Sequence, residues 1–124
     1  MIKKINTIKA PKAIGPYSQA VIHNNIIYCS GQIAISPLTN EIVKEDIIIQ
    51  TEQILNNLKE ILIEAGSDLD NVLKITIYLK SIDNFSIVNE VYGKYITKKP
   101  ARSVVEVSNL PKNTLILIDC IAFK

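Results

Sequence analysis

The sequence predicts an α+β fold, a mixed β-sheet with two amphipathic helices on one of its faces. Three observations carry that prediction. The predicted elements run strands, long helix, strand, helix, two strands, an order that sets helices on a sheet rather than alternating them through it. Two segments, 46–65 and 84–96, repeat apolar residues at spacings of three and four. The stretch from Thr114 to Phe123 alternates with apolar side chains on both faces, the pattern of a central strand. At 124 residues the chain suits one domain spanning 1–124, built around one core.

Taken in order, Ile2 to Ile5 alternates as a short first strand. Ala10 to Tyr17 is a loop stiffened by Pro11, Gly15 and Pro16, which presents Tyr17 and Ser18. Tyr17 reads either as a packed aromatic with a wet hydroxyl or as a ligand group. Ala20–His23 and Ile26–Ser30 pair as strands around His23, Asn24 and Asn25, with Asn suited to positive φ. His23 is the only histidine, and neither a metal cluster nor a Ser-His-Asp arrangement can be assembled around it. At Ser30 and Gly31 a glycine interrupts a strand pattern, the mark of a bulge or of close approach to the backbone. Asp46 is a plausible N-cap for a helix that runs to Ala65, with Gly66 at C′.

Val72 to Leu79 is a β-branched strand. Asp83 or Asn84 caps a second helix carrying Phe85, Val88, Val91, Tyr92, Tyr95 and Ile96, and Pro100 ends it. Asn89 sits one residue off that stripe, either solvated or reaching the sheet edge. Strands over Ser103–Val107 and Thr114–Phe123 close the chain. In the last one Leu115, Leu117, Asp119, Ile121 and Phe123 share a face, opposite Ile116, Ile118, Cys120 and Ala122. Asp119 then needs a partner, a backbone amide or a Lys. Ile116 and Ile118 are expected to point away from the helices, on a face that oligomerisation would cover.

Composition excludes several classes. Hydrophobic residues make up 48% and charged residues 21%, and no apolar run approaches the ~20 residues that span a bilayer. The basic N-terminus lacks the apolar core of a secretory signal. Cys29 and Cys120 do not make a disulfide framework or a CxxC site, and they read as buried reduced thiols, which suits the cytoplasm. A net charge of +2 with no Trp and two Phe argues against a nucleic-acid module. Arg102, after Pro100-Ala101, opens a strand. It is either a surface cation whose stem covers apolar area or a planar fork for a small carboxylate.

Three motifs carry a family resemblance: IGPYSQ at 14–19, SGQI at 30–33 and PARSVVEVSNLP at 100–111. In this order, over nearly the whole chain, they resemble the reactive intermediate/imine deaminase family, called RidA or YjgF. The resemblance implies a chorismate-mutase-like fold, a homotrimer, no cofactor or metal, and clefts between subunits that hold a small carboxylate. It implies hydrolysis of enamines and imines such as 2-aminoacrylate and 2-aminocrotonate to 2-keto acids and ammonia. Other members are described as ribonucleases or translation inhibitors, and a non-catalytic regulator that binds small 2-keto acids or amino-acid-like carboxylates is a further alternative. The resemblance implies that the carboxylate-binding Arg falls on Arg102, that site Tyr, Ser and Gly fall on Tyr17, Ser30 and Gly31, and that a helical site Asn falls on Asn89. Backbone groups near Gly31 and from Cys120 to Ala122 would hold the nitrogen end.

The departures are as specific. The family's last strand usually has two Glu separated by one residue, and these positions are Leu117 and Asp119. The first is the water-orienting acid, so the catalytic acid has no counterpart here. The common Cys two residues after the Arg is Val104, and the segment between Tyr95 and Pro100 is shorter than in several relatives.

Overall fold

The structure is a computed structural model that describes residues 1–124. Six strands form one sheet: β1 (Lys3–Ile5), β2 (Ala20–His23), β3 (Ile26–Gln32), β4 (Val72–Leu79), β5 (Ala101–Glu106) and β6 (Ile116–Phe123). Their spatial order is β1-β2-β3-β6-β4-β5, with β5 parallel to β4 and every other pair antiparallel. The last strand of the chain is therefore interior to the sheet, as its two-sided apolar pattern requires. Helices α1 (Ile47–Glu64) and α2 (Phe85–Tyr95) pack against each other, and α1 packs on β3 and β6.

Local chemistry sets the boundaries. Asn24 and Asn25 take φ of 50° and 64°, giving the β2–β3 hairpin the left-handed pair of residues that matches strand twist. The Asp46 carboxylate accepts from the N–H groups of Ile48 and Ile49 at 2.9 and 3.0 Å, which satisfies two orphan donors at the start of α1. Gly66, at φ 86°, turns the chain out of it. The second helix departs from expectation. Asn84 occupies the N-cap of α2 but makes no side-chain capping bond. A short 3-10 turn over Ile82–Asn84 intervenes, and Ser81 caps that turn by accepting from Asp83 N.

The core lies between the sheet and the helices. Ile27, Ile75, Ile77, Leu79, Ile116, Ile118 and Ala122 of the sheet meet Ile54, Leu55, Leu58, Ile61 and Leu62 of α1, all of them fully buried. The expectation that Ile116 and Ile118 face away from the helices is thus corrected. The open face of β6 is the alternate set, Leu117, Asp119, Ile121 and Phe123. Both sets are largely apolar, so alternation alone did not fix which one the helices cover.

Polar residues within this core tie loops to elements. Gln50 Oε1 accepts from Leu115 N at 3.0 Å, and Asn57 Nδ2 donates to Ile35 O at 2.9 Å. Gln19 is 1% exposed and is the hub of the loop before β2. Its Oε1 accepts from Thr7 N at 2.7 Å, while its Nε2 donates to Thr7 O at 3.0 Å and Pro11 O at 2.8 Å. Removing that amide would leave buried backbone groups unpaired, at about 1–3 kcal/mol for each. Gln19 thereby fixes the loop that carries Tyr17.

Candidate functional site

The sequence-predicted site residues fall into two groups on opposite faces of the sheet. The first is built on the edge strand β5 and on α2. Arg102 pairs in register with Ile75, whose side chain is buried on the helix side, so the guanidinium is directed toward α2. It donates from Nη1 to Asn89 Oδ1 at 2.7 Å, and it lies 4.9 Å from the centroid of Tyr92 and 5.6 Å from that of Phe85. Stacking on two rings and one amide bond fix the fork's plane. Only one of the five guanidinium donors is used in that bond. Beside it opens a hollow of about 580 Å³ whose wall includes Asn89, Tyr92, Lys99 and Arg102. Burial raises the Tyr92 phenol above its ordinary value, an effect that Arg102 opposes.

The second group lies on the open face. Between Cys29 and Gln32 the β3–β6 register slips, so that Ser30 and Gly31 together stand opposite Asp119. This is the bulge that the glycine signalled, and it leaves backbone exposed beside β6. A Cβ on Gly31 would stand 2.7 Å from Leu117 Cδ2 and 3.3 Å from its Cγ, so the Leu117 side chain occupies the space that glycine leaves. The Ser30 hydroxyl donates to Ser18 O, and Ser30 N donates to Gln19 O at 2.9 Å. These bonds hold the Tyr17 loop against β3. Tyr17 itself is 52% exposed. Tyr17, Ser30, Gly31, Tyr78, Leu117 and Asp119 all line a second hollow of about 540 Å³.

The partner of Asp119 is neither a backbone amide nor a Lys contact. Tyr78 on β4 donates its hydroxyl to Asp119 Oδ2 at 3.3 Å. Burial raises the Asp119 carboxyl above the usual carboxylate range, against the opposing pull of the Tyr78 bond and the Lys74 charge. Tyr78 is the residue that sequence reasoning missed. Its signal was an aromatic hydroxyl at an outward position of β4, but only the β4–β6 register, which pairs Thr76 with Asp119 and Tyr78 with Leu117, brings it to the carboxyl.

Cys120 joins neither group. Its thiol is 2% exposed on the helix side, across from Cys29 in the β3–β6 register, and both thiols are free. The hydrogen bond with Cys29, then burial, push it well above the ordinary thiol value. Its side chain points away from the open-face hollow, and the residue is paired with Cys29 and Ile75 on its two sides. Val104 also points to the helix side, paired with Ile77.

Comparison with known proteins fits this geometry. The family model described as Endoribonuclease L-PSP matches residues 7–124. The chain belongs to the RidA/YjgF family. A RutC family protein of Pyrococcus abyssi is 54% identical over 121 residues, covering 97% of this chain and 95% of that protein. The chloroplastic Reactive Intermediate Deaminase A of Arabidopsis thaliana is 46% identical over 119 residues, covering 95% of this chain and 64% of that protein. The crystal structure of E. coli TdcF with bound serine superposes with a TM-score of 0.93 at 36% identity, covering 98% of this chain and 99% of that one. These similarities agree with the RidA-like α+β fold: a mixed sheet with both helices on one face.

Proposed function

We propose that the protein hydrolyses small enamines and imines that carry a carboxylate, such as 2-aminoacrylate and 2-aminocrotonate, to 2-keto acids and ammonia. The observation that carries this reading is the Arg102 fork, plane-fixed by Asn89, Tyr92 and Phe85 and with donors to spare, beside an open hollow. A preset planar cation is built to take a carboxylate by two parallel hydrogen bonds. The deaminase named among the relatives and the serine held by TdcF agree with an amino-acid-derived ligand.

In this reading the working site needs a second copy of the chain. Arg102 stands on the helix side of the edge strand, whereas Tyr17, Gly31 and Asp119 stand on the open face of the sheet. That face also exposes Tyr28, Val105 and Phe123, apolar surface suited to burial in a homotrimer. One subunit's Arg102 would then hold the carboxylate over its neighbour's open face. After protonation at carbon converts enamine to imine, water adds to the imine carbon and ammonia leaves. Much of the barrier is met by orientation, since imines hydrolyse readily once placed.

Leu117 favours a second reading. An aliphatic side chain there neither accepts a proton nor orients water, which suits a trimer that binds small 2-keto acids without turning them over. One assay separates the two readings. With threonine dehydratase generating 2-aminocrotonate, added protein should accelerate 2-ketobutyrate release above the protein-free rate. An unchanged rate, with 2-ketobutyrate still bound in calorimetry, would leave the binder.

A further inference from the structure

We propose that Asp119, held by Tyr78 opposite the Ser30–Gly31 bulge, is the proton-transfer group of this site and works in place of a carboxylate at position 117. The inference rests on the deaminase reading above and names the residue that would perform its proton step.

Three observations converge on Asp119. It is the only carboxyl group among the residues lining the open-face hollow, where position 117 is aliphatic. Its strand position faces the Ser30–Gly31 bulge, where the ladder is interrupted, Gly31 is exposed, and the neighbouring wall is the Leu117 side chain. Finally, Tyr78 bonds to Oδ2 alone, which anchors the carboxyl and leaves Oδ1 free to accept a proton. A carboxyl kept only for structure needs no such hollow in front of it. The charged and titratable groups around it are few: Tyr78 and Lys74 from β4, Tyr17 from the loop that covers the bulge, and Cys120 behind it. Burial raises the carboxyl above its ordinary value, the direction that favours a group which both takes and returns a proton.

The step balances as follows. Water attacks the iminium carbon; the new C–O bond forms as the C=N π pair moves to nitrogen, and the Asp119 carboxylate takes one water proton. Asp119 returns that proton to the amine nitrogen. The C–N bond then breaks with its electron pair leaving on ammonia, the hydroxyl proton is released to form ammonium, and the 2-keto acid remains.

The test is the pH profile of imine hydrolysis, with the generating enzyme in excess at each pH and the protein-free rate subtracted. The wild type should show a rate that rises with pH as Asp119 ionises. Asp119→Asn, nearly isosteric, should lower the rate by about 10²-fold or more and abolish that limb. Tyr78→Phe should keep the limb but move it to higher pH, because the lost hydrogen bond favoured the carboxylate. A residue with only a structural role would not move a limb. If Asp119→Asn does not fold, the Tyr78→Phe limb decides. A folded Asp119→Asn protein with the wild-type rate and limb, or an unmoved limb in Tyr78→Phe, overturns the proposal while the deaminase reading stands. A wild type with no rate above background overturns both.

Discussion

Leu117→Glu is expected to raise imine hydrolysis by about 10²-fold, the lower end of what a positioned proton-transfer group contributes. Leu117 is half-buried on the open face, pairs in register with Tyr78 and lies against Gly31, so a longer acid there would reach over the bulge. Asp119 is two residues along on the same strand face and is tethered by Tyr78. The two carboxylates would then be partly interchangeable. Adding Asp119→Asn should cost the Leu117→Glu protein much less than it costs the wild type, the signature of two groups serving one step. The substitution also places like charges on neighbouring positions of one face, which raises one carboxyl further and strains the assembly if it is buried. Rate, melting temperature and sedimentation therefore belong together. A folded, assembled variant that releases keto acid no faster would contradict the account of Leu117 and favour the binding reading.

Arg102→Lys is expected to weaken 2-ketobutyrate binding in calorimetry by roughly 1–3 kcal/mol, about 5- to 150-fold. The charge survives the change, but the plane does not. Lys offers a hydrated point charge on a mobile stem, with no fork for a carboxylate and no flat face for Tyr92 and Phe85 to hold. The Asn89 contact at 2.7 Å also loses its directional donor. Equal affinities for the two proteins would reduce Arg102 to a surface cation that covers α2.

Much of the fold was legible where a single residue type has a single use. Asp46 and Gly66 marked both ends of α1, Asn24 and Asn25 the hairpin, and Gly31 the bulge. What was not legible depended on partners distant in sequence. Gln19, Gln50 and Asn57 are polar types that default to the surface, and they are buried because Thr7, Leu115 and Ile35 offer backbone groups across the fold. The orientation of β6 was not legible for the same reason. Its two faces carry similar apolar sets, and only the packing of α1 distinguishes them. At the candidate site, the motifs named Arg102, Tyr17, Ser30 and Gly31 and the family resemblance added Asn89, and the fold brings them together as an Arg102–Asn89 pair and a Tyr17–Ser30–Gly31 cluster. That these stand on opposite faces of the sheet follows from strand register, which no motif states.

In the proposed reading two copies complete one site, because within a single chain the Arg102 guanidinium and the Asp119 hollow face apart. Sedimentation equilibrium of the protein at micromolar concentration tests it most directly. The account predicts one species with three times the 13.8 kDa mass of the chain. A monomer at that concentration would leave Arg102 without a facing sheet and would contradict it.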